Sequence, residues 1–439
     1  MYKNSFYITL FFLLLASIVN AQDEVIYIKA GQLYDSQQNK LLEKKAIQVQ
    51  GNKVVQIMDY SSIPPNHKVI DLSDNTVLPG LIDAHTHVLF SQGASDDFAE
   101  HSVHTIMMES DASRVLRGSK RAASYLYEGF TSIKDLGNSG MFLDVDLRNA
   151  INEGTVIGPR IFAAGQILAA SGGQIYGVPA HNQSIIDQEY RIIRDIDDAK
   201  NAVREHVNQR VDLIKICADN IPNNTALTLD EMTAIVKMAH SYDLTVTAHS
   251  ITNKSAWNAA MAGVDGIEHG FNLADSTLAL MARKNIYLVP TENSQSYMLN
   301  YSKLAGYASD EVDWIESYIT NMNERLSRAI ERGVPIVAGS DNYTKIDGLS
   351  RGQSSKDMLR VYFESGMKPL EILQSATYTS AYHLRKDMEI GSIAPNAYAD
   401  IIAVKGDLES DFLETMDNVV FVMKDGTIYL DETAAIENK

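Results

Sequence analysis

The feature of this 439-residue sequence that most constrains its fold is a regular alternation of short apolar runs and longer helical patterns from Thr76 onward. The apolar runs have the length of buried parallel strands. They are Val77–Ala84, Phe130–Asp135, Arg160–Ala164, Asp212–Cys217, Leu244–His249, Gly266–His269, Tyr287–Pro290 and Pro335–Ser340. The helical patterns are Ser113–Glu128, Asp195–Asn208, Leu229–Ser241, Asn253–Ala262, Ser276–Lys284, Glu311–Arg332 and Gln353–Ser365. Eight strand-then-helix units predict an α/β fold, a (β/α)8 TIM-like barrel with its active site at the C-terminal ends of the strands.

Both flanks of this barrel are rich in short strand patterns. Glu24–Ala30, Lys45–Gln50 and Lys53–Met58 precede it, and Ala399–Val404 and Val419–Leu430 follow it. Neither flank has enough residues for a core of its own. We therefore predict a small β-sandwich domain built from both chain ends, residues 22–75 and 395–439, around a barrel of residues 76–394.

The first 21 residues have the pattern of a secretory signal peptide. Lys3 supplies the positive charge, Ile8–Val19 is the apolar run, and Val19-Asn20-Ala21 resembles a cleavage site. The run is shorter than the roughly 20 apolar residues that span a bilayer. We predict cleavage near Ala21 and an exported protein, periplasmic or secreted, with no membrane span.

Composition narrows the possible partners. The net charge of −18 is unfavourable for binding nucleic acid or an anionic membrane. The single cysteine, Cys217, excludes an internal disulfide. The sequence is therefore that of a globular protein acting on a small molecule, and a homo-oligomer is compatible with it.

Ligand-type residues stand at the ends of four predicted strands. His85 and His87 are two residues apart, so their side chains leave the first strand on the same face. His249 ends the fifth strand, His269 the sixth, and Asp341 follows the eighth. Taken singly, each could be an ordinary polar residue. Imidazole and carboxylate are common zinc ligands, and their convergence predicts a metal centre.

Lys215 is unusual because it lies inside an apolar strand, where an ammonium group is costly to bury. Its ammonium group would also face the metal ions of the predicted centre, and like charges repel. Carboxylation by CO₂ would convert it to an anion with two oxygens that can bridge two metals. The alternative is a buried lysine paired with Asp212 or Asp219.

These motifs resemble the amidohydrolase superfamily, in the branch of imidazolonepropionase-like enzymes and metal-dependent Xaa-Pro and Xaa-Arg/Lys dipeptidases. The resemblance covers roughly residues 24–430. It is carried by Leu78–His87, Gly129–Gly137, Gly158-Pro159-Arg160, Ile214-Lys215-Ile216, Gly263–Gly270, Gly339-Ser340-Asp341, Ala399–Val404 and Val422–Gly426.

The resemblance implies a site with two divalent metal ions, most simply Zn²⁺. His85 and His87 would bind one ion together with Asp341, His249 and His269 would bind the other, and carboxylated Lys215 would bridge them. A metal-bridging hydroxide would attack the carbonyl carbon of a C–N bond. Asp341 would take the proton of that nucleophile and pass it to the leaving amine.

The substrate is less constrained, since two loops depart from the family pattern. They are Cys217–Asn223 and Ser171–His181. The residues that we expect to bind a substrate carboxylate are Tyr176, His181, Asn342 and Arg351, whereas Glu292 is given no role. The predicted substrate is a short peptide or an N-acyl amino acid. The alternatives are a cyclic amide or lactone, as for imidazolonepropionase, or a binding protein without activity.

Overall fold

The structure is a computed structural model that describes residues 24–308 and 312–433. The predicted signal peptide and its cleavage site lie outside the described residues. The described strands are β1 Val25–Asp35, β2 Lys40–Gln50, β3 Lys53–Asp59, β4 Lys68–Pro79, β5 Leu81–Thr86, β6 Phe130–Asp135, β7 Arg160–Ala163, β8 Ile167–Ala169, β9 Tyr190–Ile192, β10 Leu213–Cys217, β11 Asp219–Asn220, β12 Thr225–Ala226, β13 Thr245–Ser250, β14 Gly266–His269, β15 Tyr287–Val289, β16 Ile401–Val404, β17 Val419–Lys424 and β18 Thr427–Asp431.

Helices follow most of the strands in the middle of the chain. They are α1 Phe98–Met108, α2 Asp111–Tyr127, α3 Leu143–Asn152, α4 Gln183–Ile186, α5 Ile196–Asn208, α6 Leu229–His240, α7 Asn253–Ala262, α8 Asp275–Lys284, α9 Gln295–Ala305, α10 Trp314–Glu331, α11 Arg351–Ser355, α12 Asp357–Glu364, α13 Pro369–Ser375, α14 Tyr378–His383 and α15 Phe412–Asp417. The start of α6 shows how local sequence sets these bounds. Thr228 and Glu231 form a capping box, in which each side chain accepts a hydrogen bond from the backbone of the other.

The central strands form two parallel sheets, one ordered β5-β6-β7 and the other β15-β14-β13-β10-β8-β9. Only residues 164–166 separate β7 from β8, so the chain passes directly from one sheet to the other. At the other junction of the two sheets, residues 335–341 run between the outer strands β15 and β5. Val337 N donates to Leu288 O at 2.9 Å, and Ala84 N donates to Ala338 O at 2.8 Å. The α/β fold with parallel strands is thus as predicted.

Two of the eight predicted barrel strands differ in the structure. The first, Val77–Ala84, is divided at Gly80, where the chain leaves β4 and enters β5. A Cβ atom at Gly80 would lie 2.0 Å from Thr131 Oγ1, so only glycine fits this close approach. The last, Pro335–Ser340, forms a single parallel bridge, between Leu288 and Ile336, instead of a regular strand.

Strands from both chain ends pair in one seven-stranded sheet, ordered β18-β17-β16-β4-β1-β2-β3. β4 is the junction, because it pairs in parallel with β1 and antiparallel with β16. A separate apolar cluster covers this sheet and includes Ile28, Leu72, Ile401 and Phe421. The expected pairing of the two ends is therefore present. A sandwich of two sheets and the exact domain boundaries stay predictions.

No helix within residues 24–308 and 312–433 is long and apolar enough to cross a membrane.

Candidate metal centre and active site

The predicted ligand residues meet at the C-terminal ends of the parallel strands. His85 lies in β5, His87 just beyond it, His249 near the end of β13, and His269 is the last residue of β14. Strand register aligns these ends, since Cys217 is opposite His249 and Ser250 is opposite His269. Parallel strands in register bring their C-terminal side chains to a common edge.

His85, His87 and Asp341 form one compact cluster, in which a ligand atom of each lies within 4.8 Å of the others. Asp341 Oδ1 is 3.5 Å from His85 Nε2 and 3.3 Å from His87 Nε2. His87 Nδ1 is held at 2.8 Å from the carbonyl oxygen of Gly137. That contact leaves Nε2 of His87 facing the carboxylate, as a metal ligand requires.

A buried ion pair that sequence analysis missed lies behind His85. Glu268 Oε2 is 2.7 Å from His85 Nδ1, and Glu268 Oε1 accepts a hydrogen bond from Lys134 Nζ at 2.8 Å. Thr247 also donates to Glu268. A carboxylate on the outer nitrogen of a histidine fixes its tautomer and makes the inner nitrogen a better ligand. Lys134 could have been noticed, because it interrupts an apolar strand as Lys215 does.

The pKa shifts in and around this cluster favour the binding of a cation. Burial lowers the pKa of His85 to about 4, and the charge of Lys215 adds to this effect. Burial and Lys215 likewise lower the pKa of His249 to about 4. Burial disfavours the anion of Asp341, but the neighbouring His85 and His87 outweigh this effect and lower the pKa of Asp341. Burial disfavours the cation of His87, but the adjacent Asp341 carboxylate outweighs this effect and raises the pKa of His87. The neutral forms of His85 and His249 and the ionised form of Asp341 are those that bind metals.

His249, His269 and Lys215 line the same cavity as that cluster. The rings of His249 and His269 are 4.6 Å apart, and His269 Nδ1 lies 3.7 Å from Asp341 Oδ2. The amide nitrogen of Gln174, from the loop after β8, lies 3.1 Å from His249 Nε2. All six predicted ligands therefore line one cavity.

Lys215 does not have the partners that the alternative interpretation required. Asp212 pairs with Arg148, and Asp219 accepts hydrogen bonds from Thr252 and Ser255. Within the described part of the chain, no hydrogen bond or ion pair involves the Lys215 amine, and burial lowers its pKa. A less basic amine is the form that reacts with CO₂.

The residues present fit divalent metal ions. His85 Nε2 and Asp341 Oδ1 are buried, and neither has a hydrogen-bond partner among the described residues. Leaving such atoms unsatisfied costs about 1–3 kcal/mol each. A cation beside them would satisfy both atoms.

The backbone also departs from ordinary geometry around the cavity. His269, Thr291 and Asp341 have φ angles of 68°, 62° and 49°, in the left-handed region that residues other than glycine seldom adopt. His269 ends β14, Thr291 follows β15, and Asp341 ends the segment 335–341 beside β15. Such conformations concentrate at functional sites, where the surrounding structure holds them.

Only two of the four residues expected to bind a substrate carboxylate line the cavity. Tyr176 does, and its hydroxyl contacts Asp97. Asn342 does also, and its side-chain oxygen accepts from Tyr297 at 3.1 Å. His181 is exposed in the short 3-10 turn Ala180–Asn182, away from the lining.

Arg351 is buried at the start of α11 and does not line the cavity, contrary to its predicted role. It donates to the carbonyl oxygens of Asn342 at 2.7 Å and Tyr343 at 2.9 Å, and more weakly to that of Phe90. Its guanidinium group therefore supports the loop that follows Asp341. It has no free face for a substrate carboxylate.

The cavity has a volume of about 490 Å³, and aromatic side chains form a large part of its wall. Among the described residues that line it, Lys215 is the only lysine or arginine. The residues of this aromatic wall belong to helices and loops without a motif, so the sequence did not predict them: Phe98, Phe271, Tyr297, Tyr301, Tyr318 and Tyr343.

Comparisons with known proteins agree with this geometry. A model of the amidohydrolase family matches residues 76–429. The chain is 24% identical over 420 residues to ochratoxinase of Aspergillus niger, covering 90% of this chain and 83% of that protein. It is 23% identical over 398 residues to imidazolonepropionase of Symbiobacterium thermophilum, covering 84% of each. The crystal structure of a Xaa-Pro dipeptidase with bound methionine in the active site matches with a TM-score of 0.79 and 28% identity, over 93% of this chain and 100% of that one.

Proposed function

The chain belongs to the amidohydrolase family, and from that premise we propose that it is a binuclear metal-dependent hydrolase of amide bonds in short peptides or N-acyl amino acids. The observation that carries the proposal is the convergence of His85, His87 and Asp341, with His249, His269 and Lys215 on the same cavity. We further propose that residues 335–341 close the parallel strands into an eight-stranded barrel. The hydrogen bonds of this segment to β15 and β5 support closure.

The proposed ligands are His85, His87 and Asp341 for one ion, His249 and His269 for the other, and carboxylated Lys215 for both. Zinc is the proposed metal, since neutral imidazole and carboxylate are ligands it accepts. When bound, such ions lower the pKa of water and polarise the substrate carbonyl. The unpartnered atoms of His85 and Asp341 support this assignment.

Asp341 is the proposed general base and then general acid. Its carboxylate would accept a proton from the attacking water and deliver it to the leaving nitrogen, because an amide anion is a very poor leaving group. The carboxylate lies within the cluster, and its low pKa keeps it ionised at neutral pH. Glu268 and Lys134 would hold the ring of His85 during this exchange.

The substrate class rests on the relatives and on the cavity. A solved relative holds methionine, a free amino acid, in its active site. The aromatic wall of this cavity would bury an apolar side chain and exclude water, while Asn342 and Tyr176 offer polar contacts. Export after removal of residues 1–21 is part of the proposal and would place the enzyme among extracellular peptides and acylated amino acids.

A second candidate is hydrolysis of a cyclic amide or lactone. It is favoured by the similarity to imidazolonepropionase. Opening the ring still breaks a C–N bond whose nitrogen must take up a proton, so Asp341 would have the same role. The two candidates therefore differ in the substrate that fits the cavity, a ring or a linear chain.

The test is a panel of dipeptides, N-acyl amino acids, their C-terminal amides and cyclic amides, assayed with zinc-loaded protein. We expect linear substrates to be cleaved and Asp341→Asn to lower kcat by at least about 100-fold, the usual contribution of a general base. Asp197→Asn, at an exposed position on α5, is the matched control and should keep full activity. Turnover of cyclic substrates alone would favour the second candidate, and no turnover by zinc-loaded protein would contradict hydrolysis.

A further inference from the structure

The segment after β15, residues 290–294, carries an unusual residue at the edge of the active site. Thr291 lines the cavity and has a φ of 62°. β-branched side chains clash with the backbone in this left-handed region, so the conformation is unfavourable by itself. Contacts elsewhere in the fold must hold it.

The hydroxyl of Thr291 has a defined direction. It donates to the carbonyl oxygen of Pro290 at 2.7 Å. Its oxygen therefore accepts from His269 Nδ1, which lies 2.7 Å away. This places the ring proton of His269 on Nδ1 and leaves Nε2 with the lone pair that a metal ion needs.

The next residue, Glu292, is anchored by a fully buried arginine. Glu292 is 2% exposed and forms an ion pair with Arg325 of α10, which is 1% exposed. The guanidinium nitrogens of Arg325 have no further hydrogen-bond partner among the described residues. Burying such a pair stabilises a fold little, because loss of hydration offsets most of the attraction. An apolar pair would serve packing equally well.

The far end of the segment is fixed as well. Ser294 N donates to Asp357 Oδ2 at 2.7 Å, and Ser294 Oγ donates to Asp357 Oδ1 at 2.6 Å. Thr291 and Asn293 are the residues of this segment that face the cavity. Thr291 is thus held between β15, where Val289 pairs with Glu268, and the anchors at Glu292 and Ser294.

We propose that the Glu292–Arg325 ion pair is a brace that holds Thr291 in its left-handed conformation and thereby fixes the ring of His269 for metal binding. Glu292 and Arg325 are positioning residues, since neither lines the cavity. Thr291 is the contact through which they act. The inference rests on the proposed metal site and assigns a role to a charge pair that the reaction itself does not use.

The experiment measures zinc affinity of the full chain by competition with a coloured chelator, without any substrate. Arg325→Met and Thr291→Val should each weaken zinc binding by about 10–100-fold, the usual effect of losing the outer partner of a ligand histidine. If the two substitutions disturb His269 in the same way, the double variant should bind zinc no more weakly than the single variant with the lower affinity. Thr291→Ser keeps the hydroxyl and should bind zinc within about threefold of the wild type.

The matched control is Arg160→Met, which breaks another partly buried ion pair, with Asp400 and Asp425, at the start of β7. It should lower thermal stability but leave zinc affinity unchanged. Zinc affinity of Arg325→Met equal to that of the control, or effects of Arg325→Met and Thr291→Val that multiply, would overturn the brace. A wild type that binds no zinc would overturn the proposed function and the brace together. Should Arg325→Met not fold, Glu292→Gln takes its place in the same comparison.

Discussion

His383 illustrates how burial at single residues couples stability to pH. Its Nε2 lies 3.2 Å from Lys134 Nζ, so it joins the chain of contacts that leads through Glu268 to His85. Burial lowers the pKa of His383 from 6.5 to about 3, and the charge of Lys134 contributes to the shift. Between these values the unfolded chain binds a proton that the folded chain does not.

His383 therefore contributes stability that is fully present above pH 6.5 and is lost as the pH falls toward 3. We predict that the difference in free energy of unfolding between wild type and His383→Gln shrinks by about 2 kcal/mol from pH 6.5 to pH 5. Urea unfolding of both metal-free proteins at the two pH values measures it. A difference that is constant with pH would contradict a buried neutral imidazole.

At the scale of single residues, the sequence was most informative at positions where metal-ligand side chains follow apolar strands. His85, His87 and Asp341 were predicted together, because ligand-type side chains at the ends of several strands of one barrel rarely coincide by chance. Arg351 was misjudged for a physical reason. A loop arginine can turn outward to a ligand or inward to carbonyl groups, and the sequence around it is the same in both cases.

At the scale of elements, the helices with strong apolar periodicity were predicted within a few residues, as in α5, which was predicted as Asp195–Asn208 and spans Ile196–Asn208. Errors arose where tertiary contacts set the bounds. Gly80 divides one apolar run between two sheets because Thr131 approaches its backbone. The pattern Gln353–Ser365 is two helices, α11 and α12, which meet at Lys356.

The aromatic wall could not be predicted at this scale. α9 supplies Tyr297 and Tyr301, and α10 supplies Tyr318. Each is an ordinary aromatic residue on an amphipathic helix, and only the packing of the two helices in the fold brings these rings to the cavity. The wall thus depends on the arrangement of elements and has no local signature.

For the whole molecule, the seven-stranded sheet ties the two chain ends to each other through β4. Without β16, β17 and β18, the edge of β4 would be unpaired and the apolar cluster around Ile28 and Leu72 would be exposed. We predict that deleting Pro395–Lys439 gives insoluble protein, because exposed apolar patches and open strand edges drive aggregation. A deletion of residues 434–439 alone, which keeps every described strand, is the control. Soluble, active protein from the longer deletion would show that the barrel does not need the sheet.

The metal content of the purified protein tests the central claim most directly. Elemental analysis of protein prepared without chelator should find about two divalent ions per chain, as expected for a two-metal hydrolase. Lys215→Ala should lose metal and activity, and short-chain carboxylates should restore part of both, whereas Cys217→Ala on the same strand should keep both. A wild-type value near one, with Lys215→Ala indistinguishable from it, would contradict the two-metal site and its carboxylated lysine.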